Sequence, residues 1–358
     1  MGGHFSASIG GAQYQAERIV NTLVKLKDYD IYYLCRKTNP EFAPNGYKII
    51  KIKTNNRLSK HTFIFDTQPL LKILNSIKPD IIYQRGLKAY TAIGAYYAKK
   101  NGSQFFFHIA HDYDVTPSSS FTDSWKSVIY FIEKKIATYG IYNATGVIAQ
   151  TEQQARLLAK NYNRSAALVF PNLVSEPQEI ISKDGKAIQV IWIANFKKVK
   201  QPEVFVELAE HFSNQSNVKF LMIGRSGNTK EFDTLHERIK RLSNLSYLGE
   251  LPLEAVNEHL AKSHIFVNTS KAEGYPNTFL QAWIRNVPTV SLHVDIDNLL
   301  KDEKLGILCN EFPLLVKAVQ KLVGDESLRA EIGETAQKFV RKNNSENNIH
   351  RLIELFQN

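Results

Sequence analysis

Cysteine is scarce: of 358 residues only Cys35 and Cys309 carry a thiol, and they stand far apart, each in or beside an apolar run. That excludes a disulfide framework or a cysteine metal site and reads as two buried thiols. No apolar run reaches the roughly 18 residues of a membrane-spanning helix, and no leader-like segment opens the chain, so the expected compartment is the cytoplasm. The ten histidines never fall at metal-ligand spacing. A G-x-G-x-x-G dinucleotide fingerprint is missing, as are internal repeats and low-complexity tracts. Acidic residues are short in one half only. Residues 1–175 hold 22 Lys and Arg against 11 Asp and Glu, and the remainder 23 against 24, so the whole net excess of +10 belongs to the N-terminal half. An anionic partner is implied for that half. Nucleic acid is not, because no basic stretch interleaves with aromatics as a base-stacking surface requires.

The length suits two domains of ordinary size, and 43% hydrophobic content is ample for packed cores. Short apolar runs alternate with amphipathic segments. Strands are predicted at residues 31–35, 47–52, 81–83, 105–109 and 146–149, with a helix at 70–77 and one at 124–142. A linker follows at 175–185. The pattern restarts with strands at 188–194, 220–224, 247–251, 265–267 and 290–292, and helices at 314–323, 325–340 and from 345 onward. This is βα repetition, hence parallel sheets. The expected division is residues 1–175, residues 176–340, and a closing helix in 341–358 that crosses back to the first domain. The opening M-G-G-H-F-S-A-S-I-G-G is awkward for this pattern. Only residues 5–9 could form the first strand, so either that strand is very short or the chain starts downstream of it. Gly10 and Gly11 then precede a helix with Ala16, Ile19, Val20 and Leu23 on one face.

The chain is organised around K-A-E-G-Y-P-N-T-F-L-Q-A-W, residues 271–283. The run Ile265-Phe266-Val267 precedes it as a buried strand, and Phe279, Leu280 and Trp283 follow at helical spacing. In the loop between, Gly274 lets backbone approach a ligand, Pro276 fixes the turn, and Asn277 or Thr278 can cap the helix, whose free N–H groups attract an anion. Glu273 would be repelled by that anion. It makes sense as an acceptor for neutral hydroxyls beside it, and a nucleotide sugar offers both features. Other strand ends carry polar residues where open α/β sheets place ligands. They are Arg85, for the acceptor or the donor phosphates or as a surface arginine; His111 and Asp112, the latter able to orient the imidazole; and N-F-K-K-V-K-Q-P at 195–202. His108 faces into its strand and reads as structural. Asp112-x-Asp114 imitates a divalent-metal site.

These residues resemble the E-x7-E region of the family 4 retaining glycosyltransferases, bacterial polysaccharide-type enzymes with the GT-B fold. The resemblance implies α/β architecture with two Rossmann-like domains facing each other across a cleft, a nucleotide diphosphate sugar donor linked to UDP or GDP, and neither cofactor nor metal. It places Glu273 on the transferred sugar and Gln281 at the second glutamate position, which usually holds the ribose. The family's phosphate grip is typically G-R-x4-K; Lys200 falls on the lysine, and Asn195 stands where the arginine is expected, with Lys197 or Lys198 to compensate. His111 matches a histidine near the sugar, the Gly10-Gly11 loop faces the donor, and Arg225 and Gly249 lie in turns bordering the base. Gly274, Tyr275, Pro276, Asn277 and Thr278 complete the donor side; Arg85 and Asp112 fall on the acceptor side. The metal reading of Asp112 and Asp114 is set aside because the C-terminal half carries features of the metal-free fold. The implied reaction moves a sugar to a hydroxyl acceptor, a lipid-linked or growing cell-surface saccharide. A nucleotide-sugar epimerase and a non-catalytic sugar-nucleotide-binding protein are the alternatives. The basic excess then fits an anionic inner-leaflet surface, contacted by the 124–142 helix with Lys126, Lys134 and Lys135, and a peripheral position on the cell membrane.

Overall fold

The computed structural model describes residues 2–7, 10–52, 64–117, 125–179, 183, 187–227 and 230–357. The chain forms two compact units, Met1–Leu173 with Glu346–Asn358, and Val174–Ser345. In chain order the first unit contains α1 (Gly11–Leu26), β1 (Tyr32–Cys35), β2 (Lys48–Lys51), α2 (Ile64–Ile77), β3 (Ile81–Arg85), α3 (Ala89–Asn101), β4 (Gln104–His108), α4 (Trp125–Asn143), β5 (Gly146–Ala149), α5 (Glu152–Tyr162) and β6 (Leu168–Val169). Strands β3, β4, β5 and β6 form a four-stranded parallel sheet in that order, and β1 and β2 a separate parallel pair.

No strand forms at the expected 5–9. Phe5 to Ala7 make a turn, and Ile9 lies outside the described residues. The reason is aromatic packing. The buried His4 ring sits against Phe5, Tyr33, Phe42 and Tyr47, so the short apolar stretch plugs the end of β1 instead of extending beside it. Among the described residues, two backbone bonds, His4 N to Lys37 O and Arg36 N to Gly2 O, tie it to the segment after β1. The sequence pattern also omits α3, since Ala89 to Ala95, Tyr97 and Ala98 are all buried and no polar stripe marks a period. Its close crossing with α4 depends on Gly140, where a Cβ would come 2.5 Å from the Thr91 carbonyl carbon.

The second unit runs β7 (Ile188–Ile193), α6 (Pro202–His211), β8 (Val218–Ile223), α7 (Lys230–Lys240), β9 (Leu245–Tyr247), α8 (Leu253–Ala261), β10 (Ile265–Asn268), α9 (Asn277–Trp283), β11 (Thr289–Ser291), α10 (Leu299–Asp302), β12 (Gly306–Leu308), α11 (Phe312–Gly324) and α12 (Glu326–Asn343). All six strands are parallel, ordered β12-β11-β10-β7-β8-β9, with an apolar core on each face. The strand expected at 247–251 instead ends at Tyr247, because Gly249 turns into the left-handed region and Pro252 starts the approach to α8. The last helix, α13 (Ile349–Gln357), belongs to the first unit, where Ile349, Leu352 and Phe356 join Ile19, Leu23, Phe106 and Phe170 in one core. The return falls at Glu346 and not at 341, since α12 stays helical through Asn343.

Candidate active site

In the second unit the chain lays down β7, β8 and β9 in one direction, then places β10 on the opposite side of β7. The loops leaving β7 and β10 therefore diverge at a topological switch point, the crevice where open parallel sheets bind ligands. Residues 194–200 leave β7, and 269–276 leave β10. Thr269 and Lys271 join them. The Thr269 hydroxyl accepts from Trp192 Nε1 at 2.9 Å and reaches the Lys200 carbonyl at 2.6 Å, while Lys271 N donates to Val199 O at 2.8 Å. A 3₁₀ turn, Lys198–Lys200, then passes through left-handed Gln201 into Pro202, the first residue of α6.

This bracing brings Lys200 onto Glu273. The ammonium donates to Glu273 Oε1, and Ser270 Oγ donates to the same oxygen at 2.8 Å. Glu273 Oε2 has no protein partner among the described residues. The two side chains are 22% and 16% exposed, enough shielding from water for their charges to matter and enough opening for a ligand. Lys197 and Lys198 are exposed. Gly274 does not adopt the left-handed conformation.

Other expected site residues sit differently. Asn195 Oδ1 accepts the Arg225 backbone N–H at 3.1 Å, bracing the loop after β8, a task that an arginine, having no acceptor, could not perform. Tyr275 is buried and its hydroxyl accepts from Asn344 Nδ2 at 3.0 Å, a packing contact with the end of α12. The expected cap at Asn277 or Thr278 is replaced by Pro276, whose extended backbone starts α9 with no side-chain cap. Gln281 is buried within α9, in the run Phe279–Trp283. Ser270 and Thr269 were not singled out from sequence, although two hydroxyl residues directly after a buried strand were the available signal.

In the first unit Gly10 is the extended N-cap of α1 and Gly11 its first residue. His111 follows β4, its ring stacked on Tyr113 at 4.5 Å and its Nδ1 accepting Tyr113 N at 3.3 Å, which leaves the proton of a neutral ring on Nε2. Asp112 does not orient this ring. Its oxygens accept from Gln154 Nε2 at 3.0 Å and Gln153 Nε2 at 3.2 Å, because α5 presents both amides to it. Asp114 instead accepts from the Ala110 and His111 amides. Both carboxylates of the D-x-D pair are thus taken up by the chain itself, and among the described residues no three His, Cys, Asp or Glu could share a metal ion. Arg85 is not a surface arginine; it lies half-buried at the end of β3, bonded to Asn172.

Two parallel α/β units, one carrying a lysine–carboxylate pair at its switch point, define a GT-B protein. The family described as "Glycosyl transferases group 1" matches residues 187–325 and "Glycosyl transferase 4-like" matches residues 14–151, together more than half of the chain. An uncharacterized glycosyltransferase of Methanocaldococcus jannaschii is 22% identical over 95% of this chain and 93% of its own length. Two solved structures share the fold: Anabaena HepE in complex with UDP and glucose, at 15% identity and TM-score 0.72, covering 96% of this chain and 95% of that one; and WaaG, a glycosyltransferase involved in lipopolysaccharide biosynthesis, at 13% identity and TM-score 0.75, covering 99% and 98%. The chain belongs to the family 4 type of glycosyltransferases.

Proposed function

We propose that the protein transfers a hexosyl group from a UDP- or GDP-linked sugar to a hydroxyl of a lipid-linked or growing cell-surface saccharide, with retained configuration. The observation that carries the reading is the Lys200–Glu273 pair between the loops of β7 and β10. An arriving diphosphate competes with Glu273 for the Lys200 ammonium. Lys200 then stabilises charge developing on the leaving group, while the released carboxylate accepts from sugar hydroxyls. His111 stands near the transferred sugar, and the leaving phosphate takes the acceptor proton. HepE, of the same fold, is known with UDP and glucose, and WaaG acts in lipopolysaccharide biosynthesis, which supports this donor and acceptor chemistry. Donor turnover tests it: transfer requires the acceptor, whereas product formed without acceptor would mean an epimerase, and no turnover a binding protein.

Lys200→Ala is expected to weaken nucleoside diphosphate binding about 10- to 100-fold, the range of a lost hydrogen bond to a charged group of about 1.5 to 3 kcal/mol. Lys197→Ala and Lys198→Ala, both exposed, should change it less than about 3-fold. Calorimetry decides, and equal small losses at all three would mean a solvated cluster.

The acceptor reading includes an anionic membrane surface met by α4, and the side-chain positions revise which residues serve. Lys134 turns inward, its ammonium bonded to the Tyr113 and Thr116 carbonyls, because α4 packs beside that segment. The Lys126 side chain lies outside the described residues. Lys135 stays outward over the Phe131 ring, near exposed Ile132, Tyr139 and Tyr142, and Lys99 of α3 joins the end of α4 through Asn143. Reversing Lys99, Lys100 and Lys135 to glutamate should abolish a salt-sensitive affinity for anionic vesicles, each basic residue contributing about 1 kcal/mol. Equal, poor binding of neutral and anionic vesicles by the wild type at low salt would point to a soluble acceptor. Among the described residues no helix is long and apolar enough to cross a membrane.

A further inference from the structure

A second polar cluster, outside the Lys200–Glu273 site, closes the C-terminal edge of the sheet in the first unit. Arg85 ends β3, His108 ends β4, Gln150 follows β5 and Asn172 follows β6. His108, Gln150 and Asn172 are almost fully buried. The side chains bonded to the guanidinium are neutral. Its Nη2 donates to Asn172 Oδ1, and its Nη1 lies 3.2 Å from His108 Nδ1, which also meets the Tyr83 hydroxyl at 2.6 Å. The Gln150 amide, oriented so that its nitrogen meets the Ala110 carbonyl at 3.2 Å, turns its oxygen to the same Nη2.

Among the described residues Arg85 forms no ion pair. Asp114 acts on it through space without bonding it, its carboxylate accepting from the Ala110 and His111 amides. His108 supplies no negative charge either; burial and the neighbouring guanidinium hold it well below its ordinary range, as a neutral ring. With Nδ1 acting as acceptor, its proton sits on Nε2. Arg85 Nε is buried without a partner, whereas the His108 ring also engages the Phe170 backbone. A shielded cation with no ion pair and one unused donor of its own is costly to keep unless something else completes it. It sits at the strand ends, where ligands of parallel sheets bind.

The structure assigns this cluster as an oxyanion subsite, in which Arg85, through its unpartnered Nε, donates to a phosphate or carboxylate group of the glycosyl acceptor beside the Gln150 and Asn172 side chains. The acceptor as its source rests on the glycosyltransfer reading; the oxyanion chemistry does not.

Thermal unfolding of the full chain tests it, with inorganic phosphate against chloride at matched ionic strength, in the wild type and in Lys200→Ala, Arg85→Gln and Asn172→Asp. Phosphate should raise Tm saturably in the wild type and in Lys200→Ala, and not in Arg85→Gln. Asn172→Asp supplies the missing carboxylate in the chain, so its Tm without phosphate should exceed the wild type's and its phosphate response should vanish. No response in the wild type, a response lost with Lys200 alone, or Asn172→Asp melting lower with its response intact would each overturn the assignment. Should Arg85→Gln fail to fold, Asn172→Asp decides in the same two directions. Repeating the titration in saturating UDP separates the sources: a surviving response supports the acceptor, and a response abolished by UDP transfers the site to the donor diphosphate and overturns the acceptor assignment. A negative result here with UDP binding intact leaves the glycosyltransfer reading standing.

Discussion

Glu273→Ala is expected to lower sugar transfer by at least about 100-fold and leave the fold intact. Glu273 sits in a strand-end loop, and among the described residues its carboxylate meets only Lys200 and Ser270, both through Oε1. The fold loses one partly exposed ion pair, which solvent screening reduces to about 1 kcal/mol or less. The bound sugar loses charge-assisted hydrogen bonds of about 1.5 to 3 kcal/mol each, and two of them lost only in the transition state exceed a hundredfold in rate. A second signature distinguishes this role from a structural one. Removing the carboxylate frees Lys200, so the nucleoside diphosphate should bind the mutant at least as tightly as the wild type while transfer fails. Near-normal turnover in a folded mutant would remove Glu273 from the site.

Gly224→Ala should cost several kcal/mol and abolish donor binding without touching a charged residue. Gly224 follows β8 with φ of +146°, and a Cβ there would lie 1.8 Å from the Ala194 carbonyl oxygen and 2.5 Å from its carbon. Both are backbone atoms of the neighbouring strand end, so no rotamer change relieves the clash. The left-handed-side φ alone costs about 1 to 3 kcal/mol for a side-chain-bearing residue. Moving Ala194 also pulls on Asn195, whose side chain holds the Arg225 amide, and on Phe196, whose N–H donates to the Arg225 carbonyl at 2.9 Å. Gly249→Ala is the control. Its φ is +73° but nothing lies within 4 Å of the added carbon, so only the left-handed penalty of about 1 to 2 kcal/mol should appear. Calorimetric melting separates the two, and equal small shifts would show that the 194 loop yields to the methyl group.

The core of the second unit was legible because strands buried on both faces write themselves as unbroken apolar runs, as at Ile265 to Val267, and because Gly274 and Pro276 punctuate the turn into α9. From that alternation the parallel α/β class followed, and the matched glycosyltransferase families agree with it. Less was legible where the structure departs from a clean period. Helix α3 carries no polar stripe, β6 has only two residues, and the residues before α1 pack as an aromatic plug instead of a strand. Side-chain pairings were the least visible. Asp112 was matched to His111 by adjacency, yet two amides of α5 claim it from 41 and 42 positions away. Arg85, His108, Gln150 and Asn172 meet only because four strands align in register, which no local spacing records.

Amide hydrogen exchange with and without the nucleoside diphosphate tests the central claim most directly, since it reports where the diphosphate sits without requiring the right sugar or acceptor. The account predicts slower exchange in the loops after β7 and β10, at residues 195–201 and 270–277, with that protection lost in Lys200→Ala. Saturating UDP and GDP that leave both loops unprotected, or protect only segments away from the end of this sheet, would contradict it.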